Sequence, residues 1–145
     1  MEKLTFNDFE INKKWDFGVL SISENELIEF ARLVDPLAIH IDKAAAEKSI
    51  FKGLVASGPH IFTKFHKVHW LPRLGHTVIA GLGVNNWRLL KPVYVDQEIM
   101  GSVIIADCKI NNEKKHAVIK WLWEFLDTKN EMVQCLELII LHRIN

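Results

Sequence analysis

An aspartate and a histidine, Asp35 and His40, stand five positions apart in the segment Asp35-Pro36-Leu37-Ala38-Ile39-His40. In a continuous helix this spacing would turn the two side chains away from each other. Pro36 disfavours a helical conformation at Asp35, so we expect a loop in which the two side chains converge on one small molecule. An acid beside a base can polarise a water molecule and transfer protons in both directions. The same spacing also fits a simpler arrangement, in which Asp35 caps local backbone and His40 lies on the surface.

A second candidate site is the sequence Ser57-Gly58-Pro59, which has the features of a helix start. Because proline is favoured at the first position of a helix, Gly58 is predicted to be the N-cap of a helix over residues 59–70. The free N–H groups of a helix N-terminus stabilise a developing negative charge, and glycine lets a ligand approach the backbone closely. Taken alone, the pattern is more typical of an ordinary helix start.

The elements that must position these segments form two groups, helices first and strands afterwards. Ser23 and Glu26 form a capping box for a helix that ends near Val34, and Asp42 is the predicted N-cap of a short second helix. Alternation of apolar and polar residues predicts strands over 77–90, 98–110, 115–126 and 131–143, with a weaker candidate over 14–20. This order indicates the α+β class, with an antiparallel sheet wrapped around the helix that begins near Pro59.

Two residue sets are predicted to build the interior between that helix and the sheet. The helix has an apolar face made of Ile61, Phe62, Phe65, Val68 and His69. One face of the strand over 115–126 carries Ala117, Ile119, Trp121, Trp123 and Phe125. We interpret the aromatic residues of this strand as core rather than as a platform for stacking nucleic-acid bases.

Composition and charge exclude several classes of protein. The 145 residues suit one domain, and 18 basic residues balance 18 acidic ones, so no basic field predicts a nucleic-acid partner. No apolar stretch is long enough for a signal peptide or a membrane span, so no membrane association is expected and the predicted location is the cytoplasm. In that reducing compartment Cys108 and Cys135 are expected to be free thiols.

Three segments, taken in order, resemble the signature of the MaoC-like dehydratases and (R)-specific enoyl-CoA hydratases. They are Asp35-Pro36-x-x-x-His40, then Phe51-x-Gly53-Leu54-Val55-Ala56-Ser57-Gly58, and finally the segment 83–93, which has Lys91 before Pro92-Val93. The resemblance implies a single hotdog domain over residues 1–145. The chain departs from the family at Leu37, where Asn or Gln is frequent, and at Ala38, where Pro is frequent. Ser57 stands where many members have His.

The resemblance also implies an activity, the reversible hydration of trans-2-enoyl thioesters of coenzyme A or an acyl carrier to 3-hydroxyacyl thioesters. Asp35 and His40 would act as a dyad on one water, and the Gly58 N–H would bind the thioester oxygen as the enolate develops. Ser57, Arg88 and Lys91 are assigned to substrate binding. Arg88 and Lys91 would meet the phosphates of coenzyme A, although a solvated strand end explains them equally well. The resemblance implies no cofactor, and a homodimer or dimer-based oligomer with its site near the interface.

Other interpretations of the sequence remain open. A hotdog thioesterase would need a carboxylate or polar residue on the central helix, and residues 59–70 contain no Asp or Glu. A non-catalytic or weakly active partner subunit would explain Leu37 but not the retention of both Asp35 and His40. Four histidines at positions 60, 66, 69 and 76 suggest a metal, but no nearby Cys or carboxylate completes a ligand set, so no metal is predicted.

Overall fold

The computed structural model describes residues 1–144 and confirms the α+β class predicted from the sequence. The last residue of the predicted domain, Asn145, lies outside the described residues. The five strands are β1 (Lys14–Leu20), β2 (Val78–Leu89), β3 (Ile99–Asn111), β4 (His116–Leu126) and β5 (Met132–Arg143). The α-helices are α1 (Glu24–Val34), α2 (Ala38–Ile41), α3 (Lys43–Lys48), α4 (Gly58–Phe65) and α5 (Leu71–Leu74). A π-helical turn, His66–Trp70, joins α4 to α5, and short 3-10 turns lie at Phe6–Asp8 and Gly75–Thr77.

The strands form one antiparallel sheet in the order β1-β3-β4-β5-β2. All five predicted strands are present, and the bounds of the four longer ones differ from the prediction by one residue at each end or less. The agreement follows from strict alternation, since the predicted core face of β4 is fully buried while the residues between are partly exposed. The β1 and β2 strands are the two edges of the sheet.

The central helical segment runs from α4 through the π-helical turn into α5, and it begins one residue earlier than predicted. Ser57, not Gly58, is the N-cap, and Gly58 is the first helical residue. The predicted apolar face is correct for Ile61, Phe65 and His69, whereas Val68 is 39% exposed. The π-helical turn explains this error, because the wider turn directs Trp70 inward in place of Val68.

Phe65 fixes how closely the central helix approaches the sheet. Its ring packs edge-on against Trp123 and Phe125 of β4, with centroids 5.0 and 5.1 Å away. On β3 it lies over Gly101, where a Cβ atom would stand 2.1 Å from the Phe65 ring. The absence of a side chain at Gly101 therefore lets the helix pack directly against the backbone of the sheet.

We predict that Gly101→Ala destabilises the fold by about 1–3 kcal/mol, because the added methyl group overpacks the core against Phe65. Gly53→Ala is the matched control, since a Cβ at Gly53 would meet its nearest neighbour, Tyr94, at 4.0 Å. Denaturant unfolding of both variants measures the difference. Equal stability of the two variants would contradict the close approach described above.

A buried chain of hydrogen bonds joins β4 and β5 to the end of the central helical segment. The indole N–H of Trp121 donates to Nε2 of His142 at 2.9 Å, so Nδ1 of the neutral imidazole carries the proton. Nδ1 lies 2.8 Å from the hydroxyl of Thr77, which in turn donates to the carbonyl of Leu74. The neutral form of His142 is thus fully satisfied, and burial lowers its pKa to about 4.

Acid should destabilise the protein through this histidine. Between pH 6.5 and about 4 the folded state holds His142 neutral while the unfolded state protonates it. Its contribution to stability is therefore complete above about pH 6.5 and falls as the pH decreases, by on the order of 3 kcal/mol. His142→Gln, which keeps a donor and an acceptor, should reduce the pH dependence of the free energy of unfolding by this amount, while buried His60 keeps its own contribution. Gln97→Met, which replaces no titratable group, is the control and should leave that dependence unchanged.

Candidate active site

Asp35 and His40 come together at the end of α1, although the segment between them is not wholly a loop. Asp35 is the C-cap of α1, with φ −157° and ψ 68°, so the helix stops before Pro36 as predicted. The chain then forms the single helical turn α2, which contains His40 and which the sequence interpretation missed. Because Asp35 lies outside this turn, its side chain is free to return towards His40. The carboxylate oxygen Oδ2 lies 3.3 Å from Nε2 of His40.

A backbone partner selects the tautomer of the neutral His40 ring. Its Nδ1 atom lies 2.5 Å from the carbonyl oxygen of Val55. A carbonyl only accepts hydrogen bonds, so Nδ1 carries a proton and donates it. In the neutral imidazole Nε2 is then an acceptor facing the Asp35 carboxylate. His40 is buried, whereas the side chain of Asp35 is 32% exposed, so the pair opens on one side only.

Segment 55–56 joins this pair to the rest of the fold. The N–H of Val55 donates to the carbonyl of Ile39 in α2, and the N–H of Ala56 donates to the carbonyl of Val93. Val55 also forms an isolated antiparallel bridge with Tyr94. The carbonyl that orients His40 therefore belongs to an extended segment that is held from both sides.

Ser57, assigned from the sequence to substrate binding, has a different partner in the structure. Its hydroxyl is buried and donates to Oδ2 of Asp35 at 2.7 Å. Since Ser57 is the N-cap of α4, this bond ties the Asp35 carboxylate to the start of the central helix. The predicted site residues Asp35, His40, Ser57 and Gly58 thus lie together.

A cavity of about 480 Å³ opens over these residues. Its wall includes Asp35, His40, Ser57, Gly58, Lys91 and Gln134 among mostly apolar side chains. Gly58 is the first residue of α4, so its N–H has no acceptor within the helix. A Cβ at this position would stand 2.5 Å from Leu89, so glycine allows the end of β2 to pack against the start of the helix.

The two predicted phosphate-binding residues differ in position. Lys91 lines the cavity and forms ion pairs with Glu131 and, at 3.9 Å, with Asp127. Arg88 lies on the exposed part of β2 opposite Cys135 and is not part of the cavity wall. Only Lys91 therefore shares the cavity with the dyad, and its charge is already shared with two carboxylates.

Gln134 of β5 is a cavity residue that the sequence interpretation missed. It is buried, and its side-chain amide donates to the carbonyl of Gly58 at 3.1 Å. The sequence contains a pattern that could have identified it. Gln134 alternates in phase with Leu136, Leu138 and Ile140, which predicts that it lies on the inward face of β5. A polar residue at such a position needs a buried partner.

The four histidines at positions 60, 66, 69 and 76 do not converge on a metal site. No group of three His, Cys, Asp or Glu side chains within residues 1–144 is arranged to hold a metal ion. His60 stacks on Phe30 with centroids 4.1 Å apart, and burial lowers its pKa to about 4. His69 contacts the carbonyl of Val19 over the bulge at Gly18. Cys108 and Cys135 are free thiols, as expected.

Comparisons with known proteins identify the family to which the chain belongs. The family model of the MaoC like domain matches residues 7–122. The uncharacterized protein YdeM of Bacillus subtilis (strain 168) is 30% identical over 106 residues, which cover 72% of this chain and 74% of that protein. No helix among residues 1–144 is both long and apolar enough to cross a bilayer.

Two solved structures share the whole architecture. The MaoC-like dehydratase from Rhodospirillum rubrum superposes with a TM-score of 0.83 at 22% identity, covering 97% of each chain. The R-hydratase PhaJ1 from Pseudomonas aeruginosa superposes with a TM-score of 0.75 at 22% identity, covering 99% of this chain and 88% of that one. These likenesses confirm the hotdog fold. With the match over residues 7–122, the chain belongs to the family of MaoC-like domain proteins, the MaoC-like dehydratases.

Proposed function

We propose that this protein is a hydro-lyase that reversibly hydrates trans-2-enoyl thioesters, of coenzyme A or a carrier protein, to 3-hydroxyacyl thioesters. The observation that carries the proposal is the pairing of Asp35 with His40, 3.3 Å apart, on the wall of a cavity that also holds the start of α4. The likeness to the R-hydratase PhaJ1 from Pseudomonas aeruginosa supports the same class of reaction.

The chemistry of the pair favours one shared water. In the form with a neutral imidazole and a carboxylate, Nδ1 of His40 donates to Val55, Nε2 presents a lone pair, and Asp35 presents only acceptors. Two acceptors do not bond each other, but a water can donate one hydrogen to each. The Ser57 hydroxyl already donates to Oδ2 of Asp35, which limits the orientations open to the carboxylate. The pair therefore suits the binding and orientation of a single nucleophilic water.

The reaction then follows from the placement of the charges. The water oxygen bonds to C3 of the enoyl group while the dyad takes one of its protons. The electron pair of the double bond moves towards the thioester oxygen, and the free N–H of Gly58 at the start of α4 stabilises the negative charge. The dyad returns a proton to C2, which completes the addition of water. One donor of the Gly58 kind contributes about 3 kcal/mol to lowering such a barrier.

Removal of either member of the dyad should abolish the reaction. We predict that Asp35→Ala and His40→Ala each lower kcat for crotonyl-CoA hydration by about a thousandfold or more, because both act on the same water. The double variant should lose little beyond the worse single variant, as residues that act as a unit do. The loss of enoyl absorbance measures turnover, and circular dichroism measures the fold.

Two control variants separate catalysis from stability. Asp42 caps α3 through a bond to the N–H of Ala45, so Asp42→Ala should cost about 1 kcal/mol of stability and retain turnover. The exposed His76→Ala should retain both. If Asp35→Ala behaves like Asp42→Ala, then Asp35 has only a structural role and the proposed mechanism is wrong.

We further propose that the protein is a homodimer joined through β2. This strand is an edge of the sheet, and it carries exposed apolar side chains at Ile79, Leu82, Val84, Trp87 and Leu89. An unpaired edge of this kind pairs readily with a second copy about a twofold axis. The opposite edge, β1, is less suitable because it is shorter and carries the charged residues Lys14 and Asp16. Since Leu89 also lines the cavity, the partner copy would lie beside the site.

A matched pair of valines tests the interface. Val84 on β2 and Val19 on β1 are both 47% exposed. We predict that Val84→Lys shifts the protein from dimer to monomer at micromolar concentration, because a charge is buried unpaired at the interface, and that Val19→Lys does not. Light scattering coupled to size exclusion measures the mass. A monomeric wild-type protein, or equal effects of the two substitutions, would contradict the β2 interface.

A further inference from the structure

Gln134 is a buried polar residue of the cavity wall that the proposed mechanism does not use. Its side chain is 3% exposed, and it projects from β5 towards the start of α4. A buried amide costs free energy unless both its donor and its acceptor find partners. The strand position would accommodate an apolar residue, as its inward-facing neighbours Leu136, Leu138 and Ile140 show.

The hydrogen bond to Gly58 fixes which way the amide points. The carbonyl of Gly58 can only accept, so the atom 3.1 Å away is the Nε2 donor of Gln134. Oε1 therefore points away from Gly58, and the bond to Gly58 is the one side-chain hydrogen bond that Gln134 makes within residues 1–144. Because Gln134 lines the cavity beside Gly58, this unpartnered oxygen is an acceptor held within reach of a bound ligand.

We propose that Gln134 is a substrate-binding residue whose Oε1 accepts a hydrogen bond from an N–H or O–H group of the acyl thioester. The inference rests on the proposed function, because it takes the thioester as the ligand of this cavity. Two groups of such a substrate carry the required donor. One is the hydroxyl of the 3-hydroxyacyl group, and the other is an amide of the pantetheine arm.

Binding of two thioesters distinguishes these donors. Butyryl-CoA lacks the hydroxyl and 3-hydroxybutyryl-CoA carries it, while both contain the pantetheine amides. An Asp35→Ala background prevents turnover of the hydroxyacyl compound during calorimetry. In this background Gln134→Met should weaken binding by about tenfold, the loss expected for one hydrogen bond to a buried group. An effect on 3-hydroxybutyryl-CoA alone assigns the hydroxyl, and an equal effect on both ligands assigns pantetheine.

Methionine matches the size of glutamine, and circular dichroism and thermal unfolding verify that Gln134→Met still folds. If it does not, Gln134→Asn replaces it, since the shorter side chain cannot reach both Gly58 and the ligand. Gln97→Met is the control, because Gln97 bonds to the N–H of Tyr94 and does not line the cavity.

Unchanged affinity for both thioesters in a folded Gln134 variant would overturn the inference, as would a wild-type chain that binds neither compound. A wild-type chain that binds both thioesters but does not hydrate crotonyl-CoA would instead overturn the proposed function alone.

Discussion

Burial of the central helix against the sheet is the constraint on which the rest of this structure depends. Phe65 reaches the backbone of β3 at Gly101, and the aromatic residues of β4 surround its ring. With the helix held at this depth, its first residues have a fixed position relative to the ends of β2 and β5. Leu89 of β2 packs against Gly58, and Gln134 of β5 bonds to the carbonyl of Gly58. The start of the helix is therefore held by the sheet and not only by its own cap.

A short series of hydrogen bonds connects the candidate site to the start of the central helix. Ser57 links the helix start to Asp35 at the end of α1, and the carbonyl of Val55 links the same segment to His40 in α2. Each member of the dyad thus has its own bond to the segment that leads into the helix. Within residues 1–144, Nε2 of His40 has no hydrogen-bond partner besides the facing Asp35 carboxylate, so solvent or substrate can bind there. The packing of the central helix against the sheet consequently also sets the positions of Asp35 and His40.

Much of this was predictable from the sequence, and the errors have physical causes. The four longer strands are predictable to within one residue because the alternation of apolar and polar residues is a local pattern. The end of α1 is predictable because Pro36 disfavours a helical conformation at Asp35. The single turn of α2 escapes prediction, since four residues give no periodicity to read. Val68 was misplaced because the π-helical turn changes the helical period that the prediction assumed. The bonds of Ser57 and Gln134 could not be predicted because their partners are distant in the chain.

The departure from the family at Leu37 can also be understood from these bonds. Leu37 is the N-cap of α2 and makes no side-chain hydrogen bond there, and its side chain is 56% exposed. An Asn at this position would cap the turn and restrain the segment between Asp35 and His40. In this chain Val55 restrains the turn instead. Its carbonyl accepts from the His40 ring, and its N–H donates to the carbonyl of Ile39. The orientation of His40 is thus set by Val55, and the approach of Asp35 is set by Ser57. Neither contact involves the side chain of residue 37, so the geometry of the pair does not require an amide at this position.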